Sequence, residues 1–200
     1  MNLLFNSEPL ILDLPDAEII YYPQFFDKEQ ADIIYTELLQ EIAWQQDNIT
    51  VFGKTHPQPR LTALYGNEGK PYSYSNITMQ PHPWNTLLQK IKYHIGTTTE
   101  CQFTTVLLNQ YRDGKDSNGW HADNEKELGT NPIIASLSFG AERVFQLKHN
   151  TIADAKKSIV LEHGSLLLMK GSTQHFWKHQ IPKTAKPIGN RINLTFRSIK

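Results

Sequence analysis

From Phe103 to the C-terminus the chain breaks into short segments in which apolar and polar residues alternate, each closed by turn residues. The last segment is the strictest: in Arg191-Ile192-Asn193-Leu194-Thr195-Phe196-Arg197 every second side chain is apolar. A period of two sends alternate side chains to opposite faces of a strand, so this segment belongs in a sheet with Ile192, Leu194 and Phe196 on a core. The same pattern predicts strands near 103–111, 133–139, 143–149, 158–162, 165–169, 174–180 and 191–197. Two helices precede them. The first is predicted from about Asp27 to Trp44, with Asp27 and Gln30 forming a capping box and Ala31, Ile34, Tyr35, Leu38, Leu39 and Ile42 one apolar stripe. The second is predicted to start near Pro83, to bury Trp84, Leu87, Leu88, Ile91 and Ile95, and to end at Gly96.

Helices followed by many short strands predict an α+β chain with a jelly-roll, cupin-like core, the double-stranded β-helix. Its 200 residues suit one domain, residues 1–100 supplying helices, hairpins and a lid and residues 101–200 the core. No apolar run is long enough to span a bilayer, and the N-terminus is acidic where a signal peptide would be basic. That pattern predicts an intracellular chain without membrane attachment, cytoplasmic in a bacterium or nuclear in a eukaryote, and a monomer is expected.

Cys101 is the only cysteine, so a metal here must be held by His, Asp or Glu. The formal net charge is zero but unevenly spread: ten acids face Lys28 alone in residues 1–48, whereas residues 163–200 carry seven bases and no acid. Two readings stand side by side. Either the basic segments form a face for a polyanion, or the acidic start covers the basic end.

The chemistry gathers at Gly119-Trp120-His121-Ala122-Asp123. On a strand, His121 and Asp123 share a face and can converge on one ion. With a second histidine they would form the two-histidine, one-carboxylate triad that leaves positions open on iron(II). A His-x-Asp occurs by chance in many proteins, so the support must come from elsewhere. Arg191, Asn193, Thr195 and Arg197 share one face of the last strand, where two guanidinium forks suit a dicarboxylate. Asn109 and Tyr111 offer matching donors on strand 103–111. For the third ligand His175 and His179 compete, because four residues apart on a regular strand they point the same way. His163, before Gly164, belongs to a turn.

These residues sit among motifs that resemble the AlkB family of iron(II)/2-oxoglutarate dioxygenases, particularly its animal homologues that repair alkylated DNA. The resemblance runs from about Ile49 to Ile199 through PRLTALYG, YSYS, LLNQYRDG, GWHADNE, ASLSFGAER, HGSLLLM, WKHQIP and RINLTFR. It implies that His121, Asp123 and His179 hold iron(II), His179 being selected by its spacing to the RxNxTxR strand. It implies further that Asn109, Tyr111, Arg191, Asn193, Thr195 and Arg197 bind 2-oxoglutarate, with Arg197 clamping the carboxylate remote from iron. Tyr74 would stack on an extruded base, Glu125 would orient it, and Phe52 would fill the gap it leaves; Gly53, Lys54, Arg60, Tyr72 and Asn124 complete the substrate set. Lys54, Arg60 and Lys70 are expected to touch phosphates. Two positions depart from the double-strand-specific relatives: Asn124 replaces an acid and Tyr74 a phenylalanine.

The implied reaction uses dioxygen and 2-oxoglutarate to demethylate N-alkylated bases such as 1-methyladenine and 3-methylcytosine, in DNA or alternatively RNA, releasing formaldehyde, succinate and carbon dioxide. Alkylated DNA is then the partner. The rival readings are a hydroxylase of the same fold acting on a protein side chain, lipid or small molecule, and a nonenzymatic nucleic-acid-binding jelly roll.

Overall fold

The computed structural model describes residues 8–51, 54–68, 72–74 and 77–200, and only the backbone of residues 50, 51, 72–74, 77 and 78. Along the chain, β1 (Leu10–Leu12) and β2 (Glu18–Tyr22) lead into α1 (Lys28–Glu41). There follow β3 (Asn48–Val51), β4 (Lys54–Pro57), β5 (Leu61–Gly66), β6 (Tyr72–Tyr74), β7 (Ile77–Met79) and β8 (His82–Pro83), then α2 (Thr86–Thr99). The remainder is β9 (Thr105–Tyr111), β10 (Asn118–His121), β11 (Ile134–Gly140), β12 (Arg143–His149), β13 (Lys156–Leu161) and β14 (Ser165–Lys170). A four-residue helical turn, α3 (Thr173–Phe176), precedes β15 (Trp177–Ile181) and β16 (Arg191–Arg197).

Eight strands form a major sheet in the order β1-β2-β14-β11-β16-β9-β5-β8, and four form a minor sheet, β10-β15-β12-β13. The expected double-stranded β-helix is present, with the helices as a third layer. Leu38, Leu88, Ile91 and Ile95 of the helices pack with Leu108, Leu137, Leu166, Leu194 and Phe196 on one face of the major sheet. Leu107, Ile134, Leu167 and Met169 on its other face meet Phe145, Leu147, Leu161, Trp177 and Ile181 of the minor sheet. The central strands of the major sheet are therefore buried on both faces. The sheet takes β1, β2, β5 and β8 from the first hundred residues, to which the sequence reading gave only helices, hairpins and a lid.

The helix caps follow from local chemistry. The Asp27 carboxylate accepts from Gln30 N–H at 2.8 Å and Gln30 Oε1 accepts from Asp27 N–H at 3.3 Å, the expected capping box. On α1, Ala31 and Leu38 are buried, while Leu39 lies at the rim, 37% exposed. Helix α2 departs from expectation at both ends. It starts at Thr86, leaving Pro83 outside its first turn, because Asn85 caps it, accepting from Leu88 N–H at 2.8 Å. It passes through Gly96 to Thr99 and stops on the left-handed Glu100, φ 56°. Gly96 serves packing instead: a Cβ there would lie 2.9 Å from the Cys101 carbonyl. Trp84 stays outside the helix and stacks on Phe196, with ring centroids 6.3 Å apart.

The acidic N-terminus does cover part of the basic C-terminal region. Glu18 pairs with Lys170 at 3.8 Å, and Trp177 Nε1–H donates to Pro15 O at 2.8 Å. Among the described residues no helix is long and apolar enough to cross a membrane.

Candidate metal and dicarboxylate site

The polar row of β16 does not face solvent. Arg191, Asn193, Thr195 and Arg197 are each less than 8% exposed and point between the two sheets. Asn109 and Tyr111 stand directly opposite Asn193 and Arg191 on β9. All six line a cavity of about 250 Å³ whose apolar wall is Leu107, Phe145, Leu161, Met169 and Ile181. Asn193 is fixed by donating to Ser136 Oγ and Leu137 O, each at 2.8 Å, while Thr195 Oγ1–H donates to Asn193 Oδ1 at 3.0 Å. Arg191 is 1% exposed. Its Nη2–H donates to Ser138 Oγ at 2.8 Å, and its Nε and Nη1 have no hydrogen-bond partner. Unmet guanidinium donors at the buried end of a cavity fit an anionic guest with two oxygens.

At the other end of the row stand the metal-binding candidates. One ligand atom each from His121, Asp123 and His179 lies within 4.8 Å of the others. They reach this spacing by unlike routes. His179 is on β15, its ring stacked on Phe145 at 5.1 Å. His121 ends β10 opposite His179, after a register shift between Asn118 and His121. Asp123 lies past the end of that strand, so the strand pleat is not what aligns it with His121. Its backbone N–H donates to Gln174 Oε1 and its Oδ1 accepts from Arg197 Nη2–H, both at 2.8 Å. His121 Nδ1–H donates to Gly119 O at 2.7 Å, which leaves the Nε2 lone pair for a metal. Asn118 Nδ2 lies 3.3 Å from that Nε2.

His175 is excluded from this cluster by a local break in the strand. Residues 174–176 form the turn of α3 rather than strand, so His175 is exposed and sits 2.9 Å from Asn131 Oδ1. The sequence alternation alone had left both histidines open.

The electrostatics suit ligation. Burial raises the Asp123 carboxyl, but the charges of Arg197, His179 and His121 outweigh it and hold the group at about 2. Burial, aided by His121, pushes His179 down to about 3, against the pull of Asp123. At neutral pH Asp123 is therefore an anion and His179 a neutral imidazole, the forms that bind a divalent ion. Burial also lowers the Arg191 guanidinium, to about 10. Arg197 does not occupy the place expected of it. It contacts a candidate ligand carboxylate, so it lies at the metal end, and the arginine at the remote end of the row is Arg191.

Residues 18–197 match the family model described as 2OG-Fe(II) oxygenase superfamily. The chain is 42% identical over 192 residues to alpha-ketoglutarate-dependent dioxygenase alkB homolog 3 from mouse, covering 92% of this chain and 66% of that one. It is 39% identical over 188 residues to the human DNA oxidative demethylase ALKBH2, covering 89% of this chain and 72% of that one. The chain belongs to the AlkB family of 2OG-Fe(II) oxygenases. It spans just under two thirds of the alkB homolog 3 chains it matches, 66% of the mouse and human proteins. The solved structure of OsALKBH1 superposes with a TM-score of 0.68 over 96% of this chain and 100% of its own, at 17% identity. That likeness carries the fold.

In this AlkB-family chain the remaining sequence candidates fall into three groups. Glu125 and Arg60 line the cavity with the triad. Arg60 is 5% exposed and donates to Asn109 Oδ1 at 2.7 Å and to Ser117 O at 3.1 Å, so it is not the phosphate contact expected of it. Lys54, on β4, and Asn124, beside the ligand, are exposed. Phe52, Gly53 and Lys70 lie outside the described residues, and for Tyr72 and Tyr74 only the β6 backbone is described. The sequence reading overlooked Gln174, which is 1% exposed and holds the Asp123 backbone. No periodicity marks such a residue, because its partner lies 51 positions away.

Proposed function

We propose that His121, Asp123 and His179 hold iron(II), that 2-oxoglutarate fills the cavity behind them, and that the chain oxidatively dealkylates nitrogen atoms of nucleic-acid bases. The observation that carries the cosubstrate is the Arg191 guanidinium, buried with Nε and Nη1 unpartnered, at the remote end of the polar row. It takes the distal carboxylate of 2-oxoglutarate, with Tyr111 directly across the sheet from it. Arg197 serves the metal end by orienting Asp123 and neutralising part of its charge. Leu107, Phe145, Leu161, Met169 and Ile181 keep water from the cosubstrate. When bound, the iron supplies the oxidising chemistry that consumes dioxygen and 2-oxoglutarate and hydroxylates an N-alkyl group, which then leaves as an aldehyde.

The substrate class rests on the relatives named as DNA oxidative demethylases and on the site's outlet. His121 is only partly buried and its neighbour Asn124 is exposed, so the metal end opens to solvent while Arg191 is sealed. A base inside a duplex cannot reach that opening, so the nucleotide must be flipped out, at a cost of a few kcal/mol that unpaired, damaged bases reduce. DNA bearing 1-methyladenine or 3-methylcytosine is the first substrate to try, with RNA as the comparison.

The test is to incubate the protein with iron(II), 2-oxoglutarate, ascorbate and methylated oligonucleotides, following methyl loss by mass spectrometry and succinate alongside. Loss of one CH₂ per lesion, with succinate formed in equal amount, is the expected result. Succinate formed without demethylation of any oligonucleotide would move the reading to hydroxylation of a protein side chain, lipid or small molecule.

A further inference from the structure

The minor sheet turns one face to the cavity and the other to solvent. His179, Leu147 and Phe145 point inward, so their strand neighbours Lys178, Lys148 and Gln146 point outward. Register places Lys148 directly opposite Lys156 on one side and Lys178 on the other. Three lysines thus form one row across three adjacent strands. Beside them Trp120 of β10 is 39% exposed, and the Lys148 ammonium lies 4.4 Å from its ring centroid. The next row holds Gln146 and Gln180, hydrogen-bonded at 2.7 Å, with Ser158, and below them Val144 faces Val160. None of these strand positions is an acid. Among the described residues no carboxylate lies within ion-pair distance of the three lysines.

Like charges directly opposite one another on a sheet are destabilising, so stability alone gives no reason for this row. A polyanion removes the repulsion. The exposed Trp120 ring adds a platform for a planar group. Trp120 and Lys178 also directly precede His121 and His179, so the row lies on the back of the strands that carry the histidines. We infer that this outer face is a second nucleic-acid contact, in which Lys148, Lys156 and Lys178 bind the phosphodiester backbone of a single-stranded segment and Trp120 stacks on one of its bases. A single strand is favoured because only an unpaired base offers an open face to the indole. The segment is one that flanks the nucleotide in the cavity, so the inference rests on the dealkylase reading above.

The experiment uses the whole chain and an unmodified single strand of about 16 nucleotides, the upper end of known single-strand site sizes, with binding followed by fluorescence anisotropy across a salt series. The variant K148Q/K156Q/K178Q should reduce the slope of log affinity against log salt by about 2, since each phosphate contact to a single strand contributes about 0.7. Trp120→Ala should weaken binding about ten-fold, the cost of one lost base–aromatic stack. Lys28→Gln/Lys90→Gln, which removes charge from the helices, should leave the slope unchanged. The lysine variant should melt no lower than the parent, because it relieves repulsion, so a loss of binding is not a loss of fold. A parental slope in the lysine variant overturns the inference, as does an equal fall in the helix control. So does competition by polyglutamate without a change in oligonucleotide slope, which would make an acidic protein segment the occupant. Formaldehyde release from a methylated trinucleotide separates the two readings. A reduced slope without turnover in the parent keeps this face and removes the dealkylase assignment, whereas turnover with an unchanged slope does the opposite.

Discussion

Replacing Arg191 by Met should weaken 2-oxoglutarate binding and stabilise the cosubstrate-free protein at once. The guanidinium is 1% exposed, donates through Nη2 to Ser138 Oγ, and leaves Nε and Nη1 unpartnered. Without cosubstrate these donors are an unmet cost of roughly 1–3 kcal/mol, which an apolar side chain of similar length removes. For a chain of this size each kcal/mol moves Tm by about 2–4 °C, so the free variant should melt several degrees higher. With cosubstrate the sign reverses. Truncating one partner of a buried charge pair costs about 2–5 kcal/mol, which corresponds to roughly 30-fold or more in affinity. Titration calorimetry with 2-oxoglutarate under anaerobic conditions, manganese(II) replacing iron, reads the affinity directly. Scanning calorimetry reads the second effect: saturating 2-oxoglutarate should raise Tm in the parent and fail to do so in the variant at the same concentration. Arg191→Lys should recover only part of the loss, because an ammonium cannot reproduce the fork. Parental affinity in Arg191→Met, with a loss confined to Arg197→Met, would refute the placement of the distal carboxylate.

Other outcomes follow from the same geometry and, for Tyr74, from the family resemblance. His121→Ala, Asp123→Ala and His179→Ala should each abolish cobalt(II) binding followed by its absorption bands, while His175→Ala, in the exposed helical turn, should bind as the parent does. Gln174→Ala removes the acceptor of the Asp123 N–H and should weaken metal binding about 10–100-fold, as loss of a ligand's supporting hydrogen bond does, with Gln174→Glu recovering part of it. Tyr74→Ala should cost about 1–3 kcal/mol in binding of methylated single strands, measured as KM, and Tyr74→Phe almost nothing. In the metal-free protein His179 titrates at about 3, well below its ordinary value of 6.5. Below that ordinary value the unfolded chain takes a proton that the folded one refuses, so stability should fall as pH drops from about 6.5 towards 3. A denaturation series that is flat across that window would contradict it. The lowered Asp123 works in the same direction only below about pH 4, because its folded state loses the ionised form only near 2.

What the residues determined by themselves is what depends on neighbours in sequence. The capping box of α1, strands β12 and β16 to the residue, and the separation of β16 into an apolar and a polar face all follow from periods of 3.6 and 2 and from local side-chain hydrogen bonding. Motif order also singled out His121, Asp123 and His179, whose ligand atoms the fold brings within 4.8 Å of one another. Tertiary structure decided everything that depends on what lies across the chain. A polar row reads the same whether it faces water or a cavity; only the minor sheet packed over β16 encloses it. His175 and His179 are equivalent in alternation until the turn at Thr173–Phe176 rotates one away. Arg191 and Arg197 are equivalent in the RINLTFR pattern, and Arg60 looks like any surface arginine. What tells them apart are contacts with Ser138, Asp123 and Asn109, which lie 53, 74 and 49 positions away. A local period carries no information about a partner at that distance, because register and sheet packing, not sequence spacing, choose it.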